Sequence, residues 1–215
     1  MTEFLDVYDA NKNHLGTADR NVVHAYGLWH KTVHCWMIID DASGPMLVFQ
    51  RRSRSRAENG GKLYTTASGH VSAGESLENA FASEVSQETG INATELSPRH
   101  LYETIWIGDI KRKDGSMFID RVFCNVYYSK YNGKISDFEL NDGEVDSFVA
   151  INLDEIIDFA HGKTDSVSGV EFDGNTITSI GLTKDDFVLV GNETIYDKFG
   201  HIAERIKSDI QLQAE

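Results

Sequence analysis

Residues 69–91 read GHVSAGESLENAFASEVSQETGI. The second half of this stretch is written as a helix. Gly74 supplies a turn, Ser76 is a good N-cap, and Gly90 stands where helices stop. On a wheel drawn from Leu77 to Thr89 the apolar stripe is Leu77, Ala80, Phe81 and Val85. Glu84 and Glu88 fall in the middle of that stripe, one turn and about 40° apart. Two carboxylates on a core-facing side are costly unless something cationic meets them. Glu75, in the turn ahead of the helix, has the reach to join them. The competing reading is an amphipathic helix with incidental acids.

The spacing resembles a known signature, the Nudix box, G-x5-E-x7-R-E-U-x-E-E-x-G-U with U a bulky aliphatic. Gly69, Glu75, Ser83, Glu84, Val85, Gln87, Glu88, Gly90 and Ile91 occupy its places, and seven of the nine conform. Ser83 stands where the box has Arg, and Gln87 where it has the first of two Glu. The resemblance implies a hydrolase of a diphosphate linked to another group, with metal ligands at Gly69 (through its carbonyl), Glu75, Glu84, Gln87 and Glu88. It makes Glu84 the favoured ligand or general base and Glu88 a ligand. An all-oxygen set suits Mg²⁺, with Mn²⁺ as the alternative, rather than zinc. Ser83 is expected to leave Glu75 less tightly held, and Gln87 to weaken metal affinity.

Composition bounds the rest. The chain has 215 residues with 40% hydrophobic and 25% charged content, ordinary for a soluble domain. A net charge of -14 opposes sequence-independent binding to nucleic acid. A small phosphorylated ligand remains open, because a metal ion supplies local positive charge. No apolar run approaches the ~18 residues that span a membrane, and MTEFLDVYDANKN lacks the basic start and apolar centre of a secretion signal. Cys35 and Cys124 sit in strand-like runs and read as reduced core residues of a cytoplasmic protein.

In chain order, Phe4–Tyr8 and Leu15–Ala18 read as short strands, and Val22–Tyr26 as a short helical or irregular piece ended by Gly27. Lys31–Asp40 and Met46–Gln50 read as a hairpin. Arg51, Arg52, Arg54 and Arg56 follow, and their forks match phosphate oxygens, with Arg51 and Arg52 favoured as a clamp. The loop Ala57–Lys62 leads into a strand, Leu63–Ser68, which delivers Gly69. Leu101–Lys111 and Met117–Tyr128 form a hairpin around Lys113-Asp114-Gly115-Ser116. It carries Asp120 and Arg121 as charges inside an apolar strand, either an ion pair or a pocket wall. Val145–Ile151 reads as a strand and Leu153–Ala160 as a helix capped by Asn152. Residues 163–175 are expected as a loop, and Asp185–Leu189 and Glu193–Gln213 as helices. Ile195, Phe199, Ile202, Ile206 and Ile210 mark a stripe for the core or for a homodimer seam.

His24, His30, His34 and His70 offer a competing metal reading. It is weak for His30 and His34, because four residues of strand span ~13 Å. A narrower resemblance runs to the isopentenyl diphosphate isomerases, Nudix-fold enzymes with a His-bound metal. Leu15-Gly16-Thr17-Ala18 through His24 and His30, and the pair Gly69-His70, are similar to their pattern. Those enzymes carry a catalytic Cys where this chain has Ser68, and their second carboxylate maps near Asp120 only with a shift.

The expected fold is α/β: a mixed β-sheet sandwiched between α-helices, the Nudix fold, with N- and C-terminal extensions. Residues 1–162 would form the Nudix domain, and 163–215 a helical elaboration packed on it. The expected activity is Mg²⁺-dependent hydrolysis of a small-molecule diphosphate, with Arg51, Arg52, His70 and Asp120 on the substrate side. The alternatives are an isomerase-like enzyme and a non-catalytic ligand-binding protein.

Overall fold

The computed structural model describes residues 3–56, 59–112, 115–141, 143–189, 194 and 196–214. Strands β1 (Phe4–Tyr8) and β2 (His14–Asp19) form an antiparallel pair, followed by helix α1 (Arg20–Tyr26). Asp19 caps α1 through the Asn21 amide and left-handed Gly27 ends it. The main sheet is built from β3 (His30–Asp41), β4 (Gly44–Arg52), β5 (Leu63–Tyr64), β6 (Ala67–His70), β7 (Arg99–Lys111), β8 (Met117–Lys130), β9 (Val145–Asn152), β10 (Val167–Phe172) and β11 (Ile177–Leu182). Its order is β11-β10-β9-β4-β3-β8-β7, with β5 on β4 and β6 on β3. Strands β3 and β8 run parallel, the others antiparallel.

The middle of the sheet is split. Strands β3 and β4 pair only from Met37 to Asp41 on the β3 side. Beyond that they part: β6 pairs Thr32–Cys35 of β3, and β5 pairs Gln50 and Arg51 of β4. The expected single strand 63–68 is thus broken at Thr65 and Thr66, both fully buried. Their hydroxyls donate to the Cys35 and Val48 carbonyls, which the sheet leaves open where the strands diverge. This split delivers Gly69 and His70 to the edge of the opening.

Alternation along β3 divides the core in two. Cys35 and Met37 face helix α2 (Leu77–Thr89), which buries Ala80, Phe81 and Val85 against them. Trp36 and Ile38 face the other side, with Phe49, Phe187, Phe199 and Ile202. That second layer is roofed by helix α3 (Leu153–Ala160) and the C-terminal helix α4 (His201–Ala214). Ser76 and Gly90 cap α2 as the sequence requires.

The C-terminal third departs from expectation. Residues 163–175 are not a loop: β10 runs through them and joins both β9 and β11. The Ser, Asp and Gly content masked an alternating strand, in which Gly169 gives room to the Val149 side chain. The expected helix 185–189 reduces to one tight turn, Lys184–Asp186. The last helix opens as a wide π turn, Tyr196–Gly200, before α4. Phe199, Ile202 and Ile206 are buried within this chain, so these positions of the stripe serve the core. Ile195, Glu193, Ala57, Lys113 and Asp114 lie outside the described residues. Among the described residues no helix is long and apolar enough to cross a membrane.

Candidate functional site: an acidic pair and a histidine cluster on two faces of one strand

Strand β6 divides the site. Gly69 faces α2: a Cβ built there would run into the Glu84 carboxylate. His70, the next residue, points to the opposite face, paired across to Thr32.

On the α2 side, Glu88 accepts from the Ser68 amide and from Gln50 Nε2, each at 3.0 Å. Burial is the main force on both acids, and it disfavours charge. The Glu84 carboxyl is pushed up to about 8, first by desolvation and then by its neighbour Glu88. Glu88 is pushed up to about 7 by desolvation, against the pull of the Ser68 amide, Gln50 and Arg52. Glu75 accepts from the Ser72 amide at 3.0 Å, and Ser83 Oγ reaches its other oxygen at 3.5 Å. Ser83 therefore still touches Glu75, at the long end of hydrogen bonding. Gln87 is exposed on the flank of α2, beside Leu140 and Asn141. Glu144, paired with Arg56, adds its charge to the upward push on both glutamates. It lies outside the motif, and no sequence signal singles it out.

The two arginines separate. Gln50 points at Glu88, so alternation turns Arg51 away from it. Arg51 donates from Nε to Glu171 at 2.6 Å and from NH1 to the Gly61 carbonyl at 2.9 Å. The guanidinium of Arg51, expected in a phosphate clamp, here ties β4 to β10 and to the loop ahead of β5. Arg52 follows a register shift, acts on Glu88, and keeps a buried Nε without a partner among the described residues.

On the other face, His24 of α1, His30 of β3 and His70 of β6 converge, with one ligand atom from each within 4.8 Å of the others. His24 Nε2 lies 3.3 Å from His70 Nε2. Asp120 of β8 closes the group, its Oδ1 3.4 Å from His30 Nε2 and 3.6 Å from His24 Nε2. Nδ1 of His24 and of His30 meets a backbone carbonyl, of Arg20 at 2.8 Å and Leu28 at 3.0 Å. A carbonyl only accepts, so the proton sits on Nδ1 and each Nε2 lone pair turns inward. Desolvation holds all three rings neutral at pH 7, His24 near 4 and His70 near 2. The same burial raises Asp120 to about 6. His30 Nε2 and Asp120 Oδ1 are buried without a hydrogen-bond partner among the described residues. Inward lone pairs, a carboxylate and orphaned buried atoms are the donor set that a divalent transition metal satisfies.

The sequence weighed four histidines and judged the pair His30–His34. The structure excludes His34, which turns to the Tyr64 hydroxyl at 3.4 Å. The three that meet come from three elements, and no local spacing reports that. His70 and Asp120, expected at the substrate, both belong to this cluster. Arg121 pairs with Asp109 at 2.7 Å.

The NUDIX domain family model matches residues 28–168. An uncharacterized Nudix hydrolase from Clostridium acetobutylicum is 33% identical over 195 residues, covering 86% of this chain and 90% of that protein. The isopentenyl-diphosphate Delta-isomerase of Cutibacterium acnes is 26% identical, over 74% of this chain and 78% of its own. The crystal structure of a Deinococcus radiodurans protein superposes with a TM-score of 0.55 at 18% identity, covering 74% of this chain and 90% of that one. Such a likeness speaks to the fold. Box spacing, sheet, family match and a relative covered over 90% of its length agree: this chain belongs to the Nudix superfamily of hydrolases.

Proposed function

We propose that the protein hydrolyses a diphosphate bond in a small molecule, such as a nucleoside diphosphate derivative, with Mg²⁺ or Mn²⁺ held at Glu84 and Glu88. The observation that carries this reading is the acidic pair itself. Two half-buried carboxylates stand one helical turn apart, Glu84 against a glycine with no side chain, and both are pushed toward neutrality. A divalent cation relieves that cost. When bound it neutralises charge on the diphosphate and makes a coordinated water more acidic. Glu88 is oriented for a cation by Gln50 and the Ser68 amide. Glu84, set against Gly69, is the group suited to take the proton of the attacking water. Glu75 and the Gly69 carbonyl complete the ligand set, and Gln87 is a weak amide ligand at its margin. Arg52 is the cation placed for a substrate phosphate.

A second reading, isomerisation of an isoprenoid diphosphate, is favoured by the histidine cluster and by the likeness to isomerases. It lacks a thiol at Ser68, and proton transfer at carbon needs an acid and a base. A single panel separates the two. The protein with Mg²⁺ is given nucleotide sugars, dinucleotides and isopentenyl diphosphate, and phosphate-bearing products and isomers are both measured. Hydrolysis that falls about 100-fold or more in Glu84→Gln supports the first reading. Equal hydrolysis in that variant, or isomer without hydrolysis, ends it.

A further inference from the structure

Helix α2 is entered through a tight turn, Ser72-Ala73-Gly74-Glu75. The Glu75 amide donates to the Ser72 carbonyl at 2.9 Å, and Gly74 is left-handed at φ +74°. These are the marks of a type II turn, whose third place suits glycine. The turn carries Glu75 and closes on it, since the Ser72 amide donates to Glu75 Oε2. Two donors of the turn remain, the amides of Ala73 and Gly74, both on exposed residues. Strand β1 takes both. Ala73 donates to the Phe4 carbonyl at 2.8 Å, and Gly74 to Asp6 Oδ2 at 2.9 Å.

The strand that grips the turn is itself held. Leu5 forms an antiparallel bridge to Ser72. Its side chain is fully buried with Val7 and Val23, in a small core apart from the two layers of the main sheet. Alternation turns Asp6 away from that core. Asp6 Oδ1 stands 2.9 Å from His14 Nε2 of β2, which leaves Oδ2 for Gly74. Burial pushes the Asp6 carboxyl up, but the Gly74 amide, His14 and Lys31 outweigh it and hold the group below its usual range. Asp6 is therefore ionised at neutral pH, and a carboxylate makes the stronger bond to a backbone amide. Glu75 needs this grip, because Ser83 brings it no charge and only a 3.5 Å contact. Its aim matters, since the Glu75 charge is felt at the Glu84 carboxyl.

We propose that Asp6 is a positioning residue for the metal-binding carboxylates: it pins the Gly74 amide, and the pinned turn aims Glu75 at the cation held by Glu84 and Glu88. The proposal rests on the diphosphate-hydrolysis reading above for that cation. Asp6 needs no contact with metal or substrate, because it acts through the turn. The N-terminal pair of strands thus supplies, from outside α2, the hold that Ser83 does not supply from within it. Partners that orient metal ligands in this way are worth about 10–100-fold in metal affinity. Without the Asp6 carboxylate the turn keeps its internal hydrogen bond but loses its side-chain tie to β1. Glu75 then spends part of its time aimed away from the ion.

The test is calorimetric titration of the full chain with Mg²⁺ alone, an ion that oxygen sites take in preference to imidazoles. Asp6→Ala is expected to weaken binding about tenfold or more. Asp6→Asn, which keeps an oxygen for the Gly74 amide, is expected to recover most of that loss. Glu75→Gln should also weaken binding, and Asp6→Ala added to it should weaken it no further, since Asp6 acts only through Glu75. Melting temperatures near that of the parent show that the variants are folded. Amide exchange in the parent needs no variant: the exposed Gly74 N–H should exchange more slowly than an open loop does. Unchanged Mg²⁺ binding in Asp6→Ala, losses that multiply in the double variant, no recovery in Asp6→Asn, or a freely exchanging Gly74 amide would each overturn the proposal. Those outcomes leave the hydrolysis reading standing when Glu84→Gln abolishes Mg²⁺ binding. Equal Mg²⁺ binding in the parent and Glu84→Gln shows instead that the acidic pair is not the metal site, which ends that reading and this proposal together.

Discussion

At residue 69 a missing side chain makes the acidic site. The Glu84 carboxylate occupies the space where a Cβ would stand. Gly69→Ala must therefore displace Glu84 or bend β6. Overpacking of this kind costs about 1–3 kcal/mol, and a misplaced catalytic group costs about 100-fold in rate. A thermal melt and a hydrolysis assay on that variant check both, and an active, equally stable protein would contradict the placement of Glu84. Protonation gives a second residue-level outcome, for protein stripped of divalent cations. Folding raises Glu84 from 4.5 to about 8 and Glu88 from 4.5 to about 7. Between those limits the folded state binds more protons than the unfolded one, so stability falls as pH rises. Buried His24, His34 and His70 are depressed from 6.5, so their contribution is lost only as pH falls below that value. From pH 7 to 9 the two acids act without opposition from the histidines. The melting temperature should drop over that range, less so in Glu84→Gln and less so with Mg²⁺ added. Identical pH profiles for parent and variant would remove Glu84 from the buried pair. These acids were readable in the sequence because helical spacing puts Glu84 and Glu88 inside an apolar stripe. Glu144 was not, since its place beside them is set by the approach to β9.

At the scale of the element, strand phase decides what each arginine does. A run of four arginines in six residues reads as one basic cluster, but β4 sends consecutive side chains to opposite faces. Gln50 faces Glu88, so Arg51 faces Glu171, which also accepts from Ser147. Arg51→Ala leaves Glu171 without its partner in a largely buried setting and should destabilise the fold by about 3 kcal/mol. Substrate KM should change little. Arg52→Ala removes a cation near Glu88 and a contact with the Tyr64 ring. It should raise KM with only a small fall in melting temperature, since such a contact is worth about 0.5–1 kcal/mol. Reversed behaviour of the two variants, read by thermal melts and steady-state kinetics, would overturn the assignment. Strand phase was available from the sequence in principle, yet it needs one anchored contact to set it, and that contact, Gln50 with Glu88, is tertiary. The histidine cluster was hidden for the same reason: α1, β3 and β6 each deliver one ring. Strand β10 was hidden by its composition, because pairing with β9 and β11 overrides a poor local propensity.

For the molecule as a whole, the question is whether the C-terminal fifty residues are an attachment or a part of the core. Sequence placed a boundary at 162, after the helix that follows β9, because residues 163–175 carry loop chemistry. The packing argues for one cooperative unit. Phe199 meets Trp36 at 5.9 Å, Phe49 at 5.5 Å and Phe187 at 5.5 Å between ring centroids. Tyr128 of β8 and Arg99 of β7 both bind Asp209 of α4, and Lys207 binds Asp154 of α3. Removing the residues after Leu182 exposes Trp36 and Phe49, both buried to within 1%. Each large side chain returned to solvent costs about 1.5–3 kcal/mol, against a total stability of about 5–15 kcal/mol for a domain. A chain ending at Leu182 should therefore lack a cooperative thermal transition by near-ultraviolet circular dichroism. It should also expose apolar surface to a hydrophobic dye. If that shortened chain melts within a few degrees of the whole one, residues 183–215 are an appendage.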